Sequence, residues 1–202
     1  MSIKAKVLFL DRDGTINEDL IGGYVTELDQ FRLIPKSDEA IALARKAGFK
    51  IVIVSNQACL AKGMASEEKI NAVNAYMQSL LIKNGASYDL CYFAPYHPKY
   101  PHPKYDAYKS WRKPETGMVA QALQDFQKMG LEVDKNDSYF IGDKQVDVLC
   151  GKRSGLRQIL VRTGHGEVDA CREKDTHPEF IADDLYDAVA NYILPKYSGG
   201  NA

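Results

Sequence analysis

The chain has 202 residues, 45% of them hydrophobic, and its 26 basic and 27 acidic side chains leave a formal net charge of -1. That much apolar material supports a sizeable core and argues against disorder. The charge balance argues against nucleic acid or an anionic membrane as the main partner, so a small molecule is expected.

Along the chain, three short β-branched runs, "KVLFL", "KIVIVSN" and "SYFIG", read as buried parallel strands, each ending in polar or glycine-bearing sequence. Between the first two lies "SDEAIALARKAG", an amphipathic helix with Ser37 or Asp38 at its start and Gly48 just past its end. A second helix is predicted from Ser66 through Lys83, opened by "SEEK" as a capping box and closed by Asn84 and Gly85. A third runs from about Thr116 to Met129, with Gly130 as its stop, and a last from Asp184 to Tyr192. "DLCYFAP" and "RQILVRT" supply further strands. This βαβα rhythm predicts an α/β fold, a doubly wound, mainly parallel sheet with helices on both faces. No linker divides it, so residues 1–197 are expected to form one domain and 198–202, "SGGNA", a flexible tail.

The segment Pro95 to Lys113 has four prolines, five aromatics and no period, which marks an irregular, functional loop. Four cysteines without C-x-x-C spacing read as free thiols of a reducing compartment. No apolar run approaches a transmembrane length, and "MSIKAKVLFLDRDG" turns charged too early for a signal peptide. A cytoplasmic monomer is the expectation.

Ligands of open α/β sheets bind at the carboxyl ends of the strands. Asp11 and Asp13 close the first strand, Ser55 and Asn56 the second, and Gly142, Asp143 and Asp147 follow "YFI". Four carboxylates, a hydroxyl and an amide thus converge. Hard oxygen donors at this density suit Mg²⁺, which takes its remaining ligands from water and phosphate. Arg112, Lys113 and Lys144 supply positive groups for that phosphate. Two carboxylates one residue apart can then divide their work: one ionised as nucleophile, the other, Asp13, starting protonated as the acid.

With "DRDGT", "VIVSNQ", "RKP" and "GDKQVD" in this order, from Val7 to about Gly166, the chain resembles the haloacid dehalogenase-like phosphatases. "FLDRDGTIN", "GYV", "RKPETGM" and "VRTGHG" are most similar to the heptose bisphosphate and histidinol-phosphate phosphatase branch. The resemblance implies Asp11 as nucleophile, Asp13 as general acid and base, and Ser55 and Lys113 as phosphate ligands. It implies Asp11, Asp13 and Asp143 for Mg²⁺, Arg112 for substrate recognition and Lys144 for substrate contact. Asp19, Gly22, Gly23, Tyr24, Asn56 and Gln57 complete the expected substrate contacts. The stretch between the first two motifs leaves no room for a cap domain, so a local lid is expected from "EDLIGGY" and the Pro95–Lys113 loop.

Close relatives in that branch carry a zinc site, Cys-x-His and Cys-x-Cys, ahead of "RKP". Ala94, Tyr96, Lys109 and Trp111 stand at those four places here. Cys91, His97 and His102 offer three ligands at irregular spacing where structural zinc needs four, so zinc is not expected. The function the resemblance implies is Mg²⁺-dependent hydrolysis of a phosphorylated sugar, with removal of the C7 phosphate of D-glycero-D-manno-heptose 1,7-bisphosphate as the leading expectation. Histidinol phosphate or another small phosphomonoester is the alternative substrate, and a non-catalytic phosphate-binding protein the alternative of another class.

Overall fold

The apolar run near the N-terminus becomes the middle of a parallel sheet. In a computed structural model, which describes residues 3–197, β1 (Ile3–Leu10) lies between β2 (Phe49–Asn56) and β5 (Tyr139–Gly142). Outward from these run β3 (Leu90–Ala94) beside β2, then β6 (Arg157–Val161) and β7 (Phe180–Ala182) beside β5. The order is β3-β2-β1-β5-β6-β7, every pair parallel, and the short β4 (Leu131–Val133) adds to the start of β1, with Ile3 opposite Leu131. Strand order reverses at β1, so a crevice opens at its carboxyl end. The expected tail, residues 198–202, lies outside the described residues.

Side chains alternate across the sheet as period-2 geometry requires. Leu8, Leu10, Ile51, Ile53 and Ile141 pack on one face with Ala40, Ile41 and Ala44 of α1 (Ser37–Lys46) and Val73, Met77 and Leu81 of α2 (Glu67–Lys83). Val7, Phe9, Val52, Val54 and Phe140 face the other way, against Met118, Val119, Ala122 and Phe126 of α3 (Gly117–Lys128). On that second face Cys150 of α4 (Gln145–Ser154) joins them, and α5 (Val168–Glu173) packs Cys171 against Val148 and Leu160.

Helix ends follow the sequence closely. Ser66 caps α2 by accepting from the Lys69 amide at 3.4 Å, while residue 69 is a lysine and cannot return the second bond of a capping box. The predicted last helix is in place but differs in type: after a helical start at residues 185–186 it is π-helical over Asp187–Ile193 and runs on into a 3-10 turn at Leu194–Tyr197. Pro195 contributes no amide N–H, which favours the change of hydrogen-bond pattern there. Between β1 and α1 there is a single short helical element, a 3-10 turn at Leu28–Gln30.

Candidate active site

Strand β1 delivers Asp11 to the crevice, fixed by its amide's bond to the Ile141 carbonyl at 3.0 Å. Asp143 follows β5 and is fully buried, and Asp147, on the first turn of α4, is buried as well. Ligand oxygens of Asp11, Asp143 and Asp147 lie within 4.8 Å of one another. Three carboxylates this close repel strongly unless cations intervene. One cation is Lys113, 3% exposed, whose ammonium lies 2.8 Å from Asp11 Oδ1 and 2.7 Å from Asp147 Oδ1 and donates to the Val54 carbonyl at 2.8 Å. Burial opposes the charge on Lys113, but Asp11 and Asp147 outweigh it and hold its pKa above the ordinary lysine value.

One ammonium does not neutralise three carboxylates. Burial first, then Asp11 and Asp147, pushes the Asp143 carboxyl well above the usual range, and burial with Asp11 raises Asp147 despite Lys113. Asp143 Oδ2 accepts from the His165 amide at 2.7 Å, whereas its buried Oδ1 has no hydrogen-bond partner among the described residues. An orphaned carboxylate oxygen within a hard-oxygen cluster fits a Mg²⁺ ion. Glycines press on this group from two sides. A Cβ at Gly14 (φ +86°) would lie 2.5 Å from Asp143 Oδ2, and one at Gly164 (φ +61°) 2.4 Å from it.

Asp13 stands apart from that cluster. Arg12, 1% exposed, grips its carboxylate from Nε at 3.2 Å and from Nη2 at 3.0 and 2.9 Å, while Asn17 and Gln57 donate to it at 2.9 and 2.8 Å. Burial opposes ionisation, yet Arg12, helped by Asn17 and Gln57, holds the Asp13 carboxyl below the usual range. The expectation of a protonated Asp13 therefore does not hold in the ligand-free protein, because the neighbouring guanidinium favours the anion.

Ser55, nearly buried, accepts from Gln57 Nε2 at 2.8 Å, which leaves its hydroxyl hydrogen for another acceptor. Gln57 is fully buried behind it, bridging Ser55 and Asp13. Asn56 exchanges two hydrogen bonds with the Lys113 backbone, at 3.0 and 3.2 Å, and so ties the end of β2 to the loop carrying Lys113. A cavity of about 340 Å³ opens over these groups. Its lining takes in Asp11, Asp13, Asp19, Gly22, Gly23, Tyr24, Ser55, Asn56, Arg112, Lys113 and Lys144, all expected from the sequence. Asp143 and Gln57 stand just behind that lining, in contact with groups that form it.

Lys144 donates to Asp19 Oδ2 at 3.0 Å, and His165 Nε2 lies 3.3 Å from the same oxygen. His165 and Lys62 also line the cavity and were not singled out by the sequence; each sits on a turn with no charge pattern of its own. Asp147 Oδ2 accepts from the Lys144 amide at 3.0 Å, while its other oxygen meets Lys113.

In the Pro95–Lys113 loop, Trp111 meets Tyr92 and Tyr108 edge-on, with ring centroids 5.8 and 5.2 Å away. His97 lies tilted against Tyr100 and His102 stacks on Tyr105, and each Nδ1 accepts the amide two residues on, at 3.2 Å. Burial pushes the Cys91 thiol up to about 12.

Comparison with known proteins adds to this geometry. A family model described as HAD-hydrolase-like matches residues 110–188. The D-glycero-D-manno-heptose-1,7-bisphosphate 7-phosphatase of Chlorobaculum tepidum is 53% identical over 190 residues, which cover 94% of this chain and 95% of the relative. The D-glycero-beta-D-manno-heptose-1,7-bisphosphate 7-phosphatase of Pasteurella multocida is 38% identical over 79% of this chain and 83% of its own. Among solved structures, D,D-heptose 1,7-bisphosphate phosphatase from B. bronchiseptica, complexed with magnesium and phosphate, superposes with a TM-score of 0.79 at 26% identity, covering 94% of this chain and 99% of that one.

Proposed function

The chain belongs to the haloacid dehalogenase-like phosphatases, and on that premise we propose that it hydrolyses the C7 phosphate of D-glycero-D-manno-heptose 1,7-bisphosphate. The observation that carries this reading is the buried Asp11, Asp143 and Asp147 cluster, neutralised in part by Lys113, beneath one cavity. The substrate comes from the 53% identical relative, and a bisphosphorylated sugar matches a cavity with cations at more than one place.

Asp11 and Asp143, with Asp147 beside them, would hold Mg²⁺, which when bound neutralises the carboxylates and the phosphate oxygens. The Asp13 side chain is committed to Arg12, so it is left out of that ligand set. Ser55 and Lys113 orient the phosphate, the hydroxyl as donor and the ammonium as counter-charge. Asp11 Oδ attacks phosphorus, the bond from phosphorus to the sugar oxygen breaks, and that oxygen takes a proton from Asp13. Water then attacks the aspartyl phosphate, its proton passes to Asp13, and phosphate leaves with Asp11 restored. Asp13 is the anion in the ligand-free protein, so the proton it donates is taken up from solvent as the negative phosphate binds beside it, and the proton from water restores it in the second half of the reaction.

Catalysis of this kind belongs to carbohydrate metabolism in the cytoplasm. Among the described residues no helix is long and apolar enough to cross a membrane. The test is phosphate release, compared by kcat/KM, from a panel of phosphorylated sugars and histidinol phosphate with Mg²⁺. The heptose bisphosphate is expected to lead. Histidinol phosphate in first place would overturn the substrate assignment, and no Mg²⁺-dependent release from any ester would leave a non-catalytic phosphate-binding protein.

A further inference from the structure

A buried polar side chain lies behind the site without lining its cavity. Helix α2 buries Ile70, Val73, Met77 and Leu81, and in the same set stands Asn74, 6% exposed. A buried amide costs stability unless it is hydrogen-bonded, and an apolar residue would fill this place without that cost. Asn74 Oδ1 accepts from Arg12 Nη1 at 3.0 Å. A guanidinium only donates, so the oxygen of the amide has to face it.

Arg12 is the residue that grips Asp13. Its Nε and Nη2 go to the Asp13 carboxylate, Nη2 also reaches the Val25 carbonyl at 3.2 Å, and Nη1 goes to Asn74. The fork is planar, so acceptors at both ends fix its rotation; without the one at Nη1 it is free to turn, and Asp13 turns with it. The helix that carries this acceptor is itself pinned. Tyr88 donates its hydroxyl to the Asn74 carbonyl at 3.1 Å and exchanges two hydrogen bonds with the Gln78 side chain, at 3.2 and 3.3 Å. Asn74 is 62 residues from Arg12 in sequence and belongs to none of the four motifs.

We propose that Asn74 is a positioning residue that, through Arg12, aims the Asp13 carboxyl at the oxygen of the departing alcohol. The proposal rests on the reading of Asp13 as the acid. Proton transfer in the transition state needs the donor within hydrogen-bond reach, and a displacement of about 1 Å is enough to cost about a hundredfold in rate. The loss falls only on leaving groups that need the proton. A sugar alkoxide is too basic to leave without one, whereas p-nitrophenolate leaves unprotonated.

The test is kcat/KM with Mg²⁺, which reports the steps up to cleavage of the ester bond, for D-glycero-D-manno-heptose 1,7-bisphosphate and for p-nitrophenyl phosphate. The proteins are wild type, Asp13→Asn, Asn74→Leu and Asn74→Asp. The ratio of the two substrates cancels any loss of folded protein. Asp13→Asn should lower the sugar ester relative to the aryl ester by about 10²–10⁴-fold. Asn17 and Gln57 also hold Asp13, so Asn74→Leu should lower the same ratio by a smaller factor, about 10–100-fold. Asn74→Asp keeps an oxygen for Arg12 and should stay within about threefold of wild type. A ratio that Asp13→Asn shifts and Asn74→Leu does not makes Asn74 a packing residue and overturns the positioning role alone. A loss in Asn74→Asp as large as in Asn74→Leu overturns it too, because the acceptor is then not what matters. A ratio unchanged in Asp13→Asn, whatever Asn74→Leu does, overturns the reading of Asp13 as the acid and the positioning role with it.

Discussion

Replacing Lys113 by methionine keeps most of the side chain's volume and removes one buried charge. The side chain is 1% exposed and its ammonium lies 2.8 and 2.7 Å from two carboxylates, so its loss strands both in a low-dielectric pocket with Asp143 beside them. Breaking a buried ion pair from one side costs about 3–5 kcal/mol. In a chain of this size that is roughly 6–20 °C in melting temperature. The deficit should depend on pH. Without the ammonium the folded-state pKa of Asp147, already raised by burial, climbs further above its unfolded value. The stability it leaves intact is then present below about pH 4, the unfolded carboxylate range, and is lost as pH climbs through the raised value. Thermal melts of metal-free wild type and Lys113→Met from pH 5 to 8 should show a gap that widens with pH, with phosphate release abolished. A gap below about 2 °C, the size expected for less than 1 kcal/mol, or one that does not change with pH, would refute this picture of the cluster.

Metal-free wild type should itself lose stability as pH rises, since burial and mutual repulsion raise Asp143 and Asp147 above the unfolded carboxylate range. Mg²⁺ displaces those protons, so the melting-temperature gain on adding it should be larger at pH 8 than at pH 5.5, and equal gains would contradict the proposed ligand set. Gly164→Ala places a Cβ 2.4 Å from Asp143 Oδ2 and 2.5 Å from the Gly14 Cα, at a positive φ. It should cost about 2–4 kcal/mol and blunt the Mg²⁺ response, and an unchanged Mg²⁺ titration would show that Asp143 is not pinned as described. Trp111→Ala removes two edge-to-face contacts, worth about 0.5–1.5 kcal/mol each, so a loss of about 1–3 kcal/mol in denaturant melts is expected. Elemental analysis of the purified wild type should find zinc well below one per chain, and stoichiometric zinc would contradict an aromatic rather than a metal anchor for that loop.

The strands that frame the site were legible because buried parallel strands are continuous apolar runs: Val7 to Leu10 and Ile51 to Val54 admit no other reading. Helices α1 to α3 were legible from their period and caps. Strands β4 and β7, three residues each, are too short to carry a period, and pairing with β1 and β6 creates them. Helix α4 was hidden for a different reason. Beside Val148 and Cys150 its buried residues are Gln145, Asp147, Gly151 and Ser154, polar or small residues recruited by the site or by close packing, so a continuous apolar stripe is missing. Within the site, spacing located Asp11, Asp13, Ser55 and Asp143 because strand ends fix them, whereas Lys113 comes from a loop that Asn56 ties to the end of β2. The protonation of Asp13 was not legible, since it depends on the Arg12 guanidinium folding back on its own neighbour. Lys62 was missed because only folding brings it beside Arg112, 50 residues away in sequence.

Phosphorus NMR of D-glycero-D-manno-heptose 1,7-bisphosphate incubated with the protein and Mg²⁺ tests the central claim most directly. The C7 phosphate signal should disappear as inorganic phosphate grows in equal amount, with the C1 phosphate signal retained and Asp11→Asn protein producing no change. Loss of the C1 signal instead, or release that persists at the wild-type rate in Asp11→Asn, would contradict the account.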